Sequence, residues 1–251
     1  MILTAAARTD VGLRRSVNED SYALAPELGL YVVADGMGGH TAGKLASKLA
    51  SEGAVNALRQ LAQVNASLTE KLRYCVASAN RDIFETAQAK PELAGMGTTL
   101  VALLAGPGRI ALAHVGDSRA YLIRGGLIRR LTDDHSLVAE LVRRREITES
   151  AARGHPHRHV LTRALGVRRT VEADLAELTP ATDDLVVMCS DGLTGHLHDE
   201  EIAEIALRDS DLAAACAQLI ELANARGGED NITVTLVRCD VPGPAEPPSP
   251  A

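Results

Sequence analysis

The order of apolar segments along this chain is the feature that most limits its fold. Six short apolar or β-branched runs, each bounded by turn residues, predict buried strands at 28–34, 98–105, 109–115, 120–124, 184–189 and 231–238. Apolar residues spaced by three and four predict helices at 41–63, 67–90, 200–207 and 212–226. Because strands and helices do not alternate, the order predicts an α+β fold of antiparallel sheets covered by helices.

Details of this pattern make further local predictions. Ser67 and Glu70 have the spacing of a capping box, and Pro91 predicts the end of that helix. The strands at 109–115 and 120–124 flank Gly-Asp-Ser-Arg, which predicts a hairpin. A polar insert, from Ser136 to Gly166, predicts a short helix followed by a mobile loop.

The composition is that of one globular domain and excludes some classes of partner. Of the 251 residues, 46% are hydrophobic, which is enough for a sizeable core. The net charge of −7 and the aromatic content of 2% argue against nucleic-acid binding, which needs a basic surface or stacking rings. We therefore expect a catalytic or binding domain over residues 1–240, followed by a Pro-rich tail, VPGPAEPPSPA, at 241–251.

Cysteine spacing and hydropathy indicate the compartment. The four cysteines are widely separated, so no CxxC motif exists, and we expect reduced, buried thiols. The first ten residues do not resemble a signal peptide, and nowhere do 18 apolar residues run together. The expectation is a cytoplasmic protein without a membrane span.

Four aspartates lie at the ends of predicted strands. Asp35 follows the first of the six strands, Asp117 the third and Asp191 the fifth, while Asp230 precedes the sixth. A glycine lies within two residues of each, which allows sharp turns and close backbone approach. Carboxylates that converge repel one another unless a hard cation such as Mg²⁺ or Mn²⁺ binds between them. Asp-Gly is also a common turn dipeptide, so the pattern alone leaves a metal site and simple turns as equal alternatives.

Eight segments, in order, resemble the motifs of the type 2C family of metal-dependent protein serine/threonine phosphatases (PPM) in its bacterial form. They are TDVGLRRSVNED from Thr9, VADGMGGH from Val33, GMGTT from Gly95, HVGDSR from His114, LTDDHS from Leu131, LTRALG from Leu161, CSDGL from Cys189 and EDNIT from Glu229. They extend over nearly the whole chain. The resemblance implies two packed antiparallel β-sheets flanked by pairs of helices, an αββα sandwich.

The resemblance also implies metal ligands. Asp35 matches the aspartate that bridges two cations, and the carbonyl of Gly36 would bind one of them. Asp191 and Asp230 would complete the other site. Asp117 matches the ligand of a third, weaker site that shares Asp191. The implied cofactors are two Mn²⁺ or Mg²⁺ ions per subunit, with a weaker third.

Further roles follow from the same resemblance. Glu19 and Asp20 match acids that bind metal mainly through water, and Asn231 would orient the final loop. Arg15 matches the arginine that grips the substrate phosphate, with Arg14 as the less favoured alternative. The insert 136–166 corresponds to a variable flap that contacts substrate.

The proton donor for the leaving seryl oxygen is open. Some relatives have histidine directly after the Asp-Gly pair, where this chain has Met37, so His40 is the candidate. His40 could instead cap the following helix, and a metal-bound water could supply the proton. The run His155, His157 and His159 could indicate zinc, but substrate contact or solvent exposure is the stronger interpretation.

The implied function is hydrolysis of phosphoserine and phosphothreonine in proteins, by in-line attack of a hydroxide that bridges two metals. The expected partners are phosphorylated proteins, a serine/threonine kinase and its substrates, and we expect a monomer. A non-catalytic phosphoprotein-binding module would lack some of the aspartates, whereas this chain has Asp35, Asp191 and Asp230. A phosphatase dedicated to one regulatory phosphoprotein stays open as an alternative.

Overall fold

The computed structural model describes residues 1–241, except for the side chain of His40. In this range it has eleven strands: β1 (Ile2–Asp10), β2 (Asp20–Ala25), β3 (Leu30–Met37), β4 (Gly97–Thr98), β5 (Leu100–Gly106), β6 (Arg109–Val115), β7 (Arg119–Arg124), β8 (Leu127–Arg130), β9 (Asp174–Leu178), β10 (Leu185–Cys189) and β11 (Ile232–Asp240). The α-helices are α1 (His40–Gln60), α2 (Leu68–Ala89), α3 (Leu137–Arg143), α4 (Glu149–Arg153), α5 (Asp191–Thr194), α6 (Asp199–Arg208) and α7 (Leu212–Ala225). Two short 3₁₀ helices lie at Pro26–Leu28 and Pro91–Leu93.

The strands form two antiparallel sheets. The first has the order β1-β11-β10-β7-β8, and the second has the order β2-β3-β5-β6-β9, with β4 paired to β3. The predicted αββα sandwich is therefore confirmed. The segment that contains the predicted flap lies between β8 and β9, so it joins the edge of one sheet to the edge of the other.

Alternation along the strands separates three apolar layers. In β3, Leu30 and Val32 pack in the cluster under α1 and α2, whereas Tyr31 and Val33 pack between the sheets. Strand β10 divides its side chains in the same way between the cluster under α6 and α7 and the layer between the sheets. Both strands are therefore continuously apolar, because both of their faces are buried.

Alanine explains how α1 packs closely in a chain with few aromatics. Its buried alanines recur every three or four residues and form one face of the helix: Ala42, Ala46, Ala50, Ala54 and Ala57. This face packs in the same cluster as α2 and the second sheet. The predicted capping box is confirmed at the start of α2, where the Ser67 side chain accepts from the Glu70 backbone N–H.

The predicted hairpin at Gly-Asp-Ser-Arg is wrong. Strands β6 and β7 belong to different sheets, so the chain crosses between the two layers at residues 116–118. Gly116 has a φ of +107° and lies against Thr99, where a Cβ would meet the threonine Cγ2 at 2.6 Å. This crossing places Asp117 next to strands of both sheets.

Four strands, β1, β2, β8 and β9, were not predicted from the sequence. Each has exposed or half-buried positions and lies at the edge of a sheet, so its apolar pattern is weak. The insert contains two short helices, α3 and α4, where one was predicted. The Pro-rich tail from residue 242 lies outside the described residues. No helix in the described part of the chain has the length and hydropathy needed to cross a membrane.

Candidate active site and metal centre

Most of the predicted site residues line one cavity of about 220 Å³ between the ends of the two sheets. Seven of them line it: Arg15, Glu19, Asp35, Gly36, Asp117, Asp191 and Asp230. Thr99, His159 and Asn231 complete much of the wall. A larger cavity of about 630 Å³, between α2 and residues 169–171, contains none of the predicted site residues.

Asp35 lies in strand β3, and Thr99 holds it there through backbone and side-chain hydrogen bonds. The Asp35 N–H donates to Thr99 Oγ1 at 2.9 Å, and the Thr99 N–H donates to the Asp35 carbonyl at 2.8 Å. Asp20, the first residue of β2, pairs with Asp35 across the strands. The next residue, Gly36, is packed so closely that a Cβ would meet the Gly43 carbonyl at 2.1 Å. Only glycine fits there, and the residue lines the cavity.

The first sheet contributes the other two predicted principal ligands. Asp191 begins α5, immediately after β10 and Ser190. Asp230 lies two residues before β11, in a loop tied to the first turn of the chain by a Leu13 N–H to Gly228 carbonyl bond of 2.8 Å. Residues from both ends of the chain thus meet at one cavity edge.

Asn231 ties the base of this loop to the segment between β1 and β2. Its Oδ1 accepts the Glu19 N–H at 2.8 Å, and its Nδ2 donates to the Val11 and Val17 carbonyls at 2.9 and 3.0 Å. Since a side-chain amide both donates and accepts, it can satisfy all of these backbone groups at once. The hydrogen bonds agree with a role in orienting the final loop.

Asp20 lies beneath the cavity in a buried position. Its Oδ2 accepts from Ser190 Oγ and from Thr233 Oγ1, both at 2.7 Å, while its Oδ1 has no hydrogen-bond partner among the described residues. Burial raises the pKa of Asp20 to about 7, against the opposing effect of the two hydroxyl donors. These two donors were not predicted, although Ser190 belongs to the CSDGL motif and Thr233 to the EDNIT motif.

Burial and neighbouring carboxylates raise the pKa of two of the clustered acids. Burial, followed by the charges of Asp20 and Asp191, raises the pKa of Asp35 well above its usual range. Burial and the charge of Asp191 do the same to Asp117. The buried Oδ1 atoms of Asp20 and Asp191 lack partners in the described structure. Buried carboxylates with free oxygens around a small cavity fit divalent cations, which supply the missing positive charge and use oxygen ligands.

Two basic side chains lie against these acids. Arg15 Nη2 lies 2.8 Å from Asp230 Oδ2, with about half of the Arg15 side chain exposed at the cavity mouth. His159, from the insert, places Nδ1 3.5 Å from Asp191 Oδ2. Burial pushes the pKa of Asp191 upward, but the hydrogen bond and charge of His159 outweigh it, and the pKa is lowered.

The remaining histidine candidates separate in space. His155 and His157 lie with ring centroids 5.6 Å apart, whereas His159 turns to Asp191, so the three do not converge on one point. The side chain of His40 lies outside the described residues, so the structure does not place this candidate proton donor. The sequence predicted substrate contact or solvent exposure for His159, and its pairing with Asp191 was not predicted.

Fold and site together define a metal-dependent phosphatase architecture, with an acidic cavity at the junction of two antiparallel sheets. The family model described as Protein phosphatase 2C matches residues 12–232. A serine/threonine phosphatase, stp, from Listeria monocytogenes is 41% identical over 239 residues, covering 93% of this chain and 95% of the relative.

Solved structures agree in fold over nearly the whole chain. The Mycobacterium tuberculosis serine/threonine phosphatase PstP/Ppp superposes with a TM-score of 0.88 and 39% identity, covering 96% of this chain and all of that one. The catalytic domain of PstP in complex with two manganese ions gives a TM-score of 0.84 and 38% identity, covering 94% of this chain and 98% of that one.

The chain belongs to the protein phosphatase 2C family. Membership confirms the predicted enzyme class, a metal-dependent protein serine/threonine phosphatase, and its requirement for Mn²⁺ or Mg²⁺.

Proposed function

We propose that this chain hydrolyses phosphoserine and phosphothreonine in proteins with the predicted acids as its metal centre. The observation that carries the proposal is the convergence of Asp35, Asp191 and Asp230, from three distant parts of the chain, on one cavity. In this assignment, residues 1–240 are the catalytic domain.

The buried acids would hold two cations, as in the manganese complex of PstP. Asp35 would bridge them, the Gly36 carbonyl would bind one, and Asp191 and Asp230 would complete the other. Glu19 and Asp20 would hold metal-bound waters. When bound, two divalent cations acidify a shared water and neutralise phosphoryl oxygens.

Arg15 would bind the substrate phosphate. Its guanidinium lies at the mouth of the cavity and pairs with Asp230, which shows that the side chain reaches the acidic site. A planar guanidinium can donate two parallel hydrogen bonds to phosphate oxygens, which orients the ester in the cavity. Arg14, the alternative, does not line this cavity.

The insert would form the substrate-facing wall. His159 and Leu161 line the cavity, and Arg158 lies 3.4 Å from Glu229, beside Asp230. The flap assignment for Ser136 to Gly166 rests on these contacts. His40 stays the candidate for protonating the leaving oxygen, and Asp117 stays the candidate ligand of a weaker third cation.

The physiological partners that we propose are a serine/threonine kinase and the proteins that it phosphorylates. The similarity to stp and PstP, named as serine/threonine phosphatases, supports this opposition to a kinase. We further propose a monomer acting in the cytoplasm.

The test is hydrolysis of a phosphothreonine peptide with Mn²⁺, with and without a chelator. Asp191→Asn should lower kcat/KM at least about 100-fold, because it removes a charged ligand from the metal centre. Asp240→Asn is the matched control, since this exposed aspartate lies at the far end of β11 from Asp230. Equal turnover by wild type and Asp191→Asn would refute the proposed site.

A further inference from the structure

A second cluster of chemically active side chains lies under the turn that carries Asp117. Ligand atoms of His114, His135 and Asp174 all lie within 4.8 Å of one another, which resembles a metal site. The two rings are in contact, with centroids 4.7 Å apart. His114 is 2% exposed, and neither of its ring nitrogens has a hydrogen-bond partner among the described residues.

His135 uses its backbone and its ring to hold one glycine. Its N–H donates to the Gly116 carbonyl at 2.7 Å, and its ring Nδ1 accepts the Gly116 N–H at 3.0 Å. His135 is 4% exposed, so water does not compete for these bonds. Both polar backbone groups of Gly116 are therefore satisfied by one residue.

These bonds determine which nitrogen of His135 carries hydrogen. A neutral imidazole whose Nδ1 accepts must carry its hydrogen on Nε2. That Nε2–H points at Asp174 Oδ2, 3.1 Å away, and Asp174 Oδ1 accepts from Arg163 at 2.5 Å. A protonated Nε2 has no lone pair for a metal, so the hydrogen-bond pattern disfavours zinc at this cluster.

The turn above His135 depends on such outside support. Gly116 has a φ of +107°, a conformation that places its N–H and carbonyl toward His135, and Thr99 leaves no room for a side chain. After Asp117, Ser118 Oγ lies 2.6 Å from Thr99 Oγ1. The backbone before and after Asp117 is thus fixed by His135 on one side and by Thr99 on the other.

We propose that His135 is a positioning residue that clamps Gly116 and so directs Asp117 into the metal cavity. Asp174 sets the tautomer that this clamp requires. The inference rests on the proposed role of Asp117 as a metal ligand, and His135 itself is not among the residues that line the metal cavity.

The same residue connects the turn to the insert. The His135 carbonyl accepts the Thr162 N–H at 2.8 Å, and Asp174 joins the His135 ring to Arg163. The returning end of the insert is therefore linked to Gly116 through the ring and the backbone of His135.

Substitution of His135 by asparagine or by glutamine separates the two hydrogen bonds that its ring makes, one to Gly116 and one to Asp174. In His135→Asn, Oδ1 takes the place of Nδ1 and can accept the Gly116 N–H, whereas in His135→Gln the terminal NH₂ takes the place of Nε2 and can donate to Asp174. Calorimetric Mn²⁺ titration of the metal-free protein should show the weakest binding step retained in His135→Asn. In His135→Gln it should weaken about 10- to 100-fold, as in Asp117→Asn. Exposed His198→Gln is the control.

The outcomes distinguish the inference from the function on which it rests. If Asp117→Asn weakens the step and His135→Gln does not, the positioning role is overturned. If Asp117→Asn itself leaves Mn²⁺ binding unchanged, Asp117 is not a metal ligand. The proposal that His135 positions it for metal binding then fails as well.

Nitrogen NMR of the metal-free wild type tests the clamp without any variant. The expected result is an unprotonated His135 Nδ1 with scalar coupling to the Gly116 amide hydrogen, and a protonated Nε2. A protonated Nδ1, or a coordinated Nε2 on addition of Zn²⁺, would overturn the proposal in favour of a metal site.

Discussion

Gly12 lies beneath the loop that carries Asp230, and its lack of a side chain lets the two segments touch. Its φ is +78°, and a Cβ there would meet the Asp230 carbonyl oxygen at 2.2 Å and the Gly228 carbonyl oxygen at 2.9 Å. Both contacts are to backbone atoms, which cannot rotate away. The position of Asp230 therefore depends on a glycine 218 residues earlier in the chain.

Gly12→Ala should lower the free energy of unfolding by about 2–4 kcal/mol, from backbone strain plus the clash. It should also weaken Mn²⁺ binding, because the loop with Asp230 must move. Urea denaturation and calorimetry measure the two effects. Gly108→Ala is the matched control, since Gly108 has a similar φ of +68° with no atom within 4 Å of the added carbon. Equal costs for the two variants would contradict the steric argument.

The pKa of about 7 at Asp20 makes the stability of the metal-free protein depend on pH. The folded state binds this proton more tightly than the unfolded state, where an aspartate has a pKa near 3.9. The stabilisation is complete below the unfolded pKa and is lost as pH rises through about 7.

Relative to Asp20→Asn, the metal-free wild type should therefore lose stability between pH 5 and pH 8. Comparing the two proteins removes the contribution of groups whose titration does not depend on the charge of Asp20. Denaturant unfolding at both pH values, with chelator present, measures the difference. A difference that does not change with pH would show that Asp20 is already ionised at pH 5.

At the scale of elements, one buried amide connects α2 to the end of the insert. Asn80 Oδ1 accepts the Gly166 N–H at 2.9 Å, and its Nδ2 donates to the Arg168 and Arg169 carbonyls at 3.1 and 3.0 Å. Leu165, the residue before Gly166, pairs with Thr98. The Thr98 Oγ1 donates to the Asp35 carbonyl. The helix thus supports the region where the insert meets β3.

Asn80→Ala should cost about 2–3 kcal/mol, because it leaves the buried Gly166 N–H and the part-buried carbonyls of Arg168 and Arg169 without their partner. It should also increase amide hydrogen exchange at residues 166–169. Unfolding curves and exchange mass spectrometry provide the two measurements. Exposed Asn65→Ala should remain within about 0.5 kcal/mol of wild type. Unchanged exchange at 166–169 would rule out the support role.

At the scale of the whole molecule, the acidic cavity lies between the two sheets and is lined by acids from both. Asp20 and Asp35 come from the second sheet, whereas Asp191 and Asp230 adjoin strands of the first. Like charges from both layers repel across the junction when no cation lies between them. Cation binding should therefore stabilise the sandwich as a whole.

Mn²⁺ at about 100 times its dissociation constant should raise the free energy of unfolding by about 2.7 kcal/mol for each site that it fills. The melting temperature should rise with Mn²⁺ and return to its initial value with chelator. Asp35→Asn, which lacks the proposed bridging ligand, should respond far less in the same calorimetric scan. A full Mn²⁺ response in that variant would contradict the bridging role.

The sequence by itself determined the enzyme class and most elements of the fold. Buried strands such as β3 and β10 are apolar on both faces, so their pattern is strong, and the motifs around Asp35 and Asp191 are contiguous in sequence. Local signals such as the capping box at Ser67 need only neighbouring residues. These features are readable because periodicity and motif spacing are local properties of the chain.

Only the tertiary structure decided how distant residues combine. The turn at Gly116 looked like a hairpin because its flanking strands are adjacent in sequence, yet packing places them in different sheets. The hydrogen-bond donors of Asp20 lie 170 and 213 positions away in the sequence. The glycine that His135 holds lies 19 positions away. Burial and hydrogen-bond direction arise when the layers pack, so no local pattern encodes the pKa of Asp20 or the tautomer of His135.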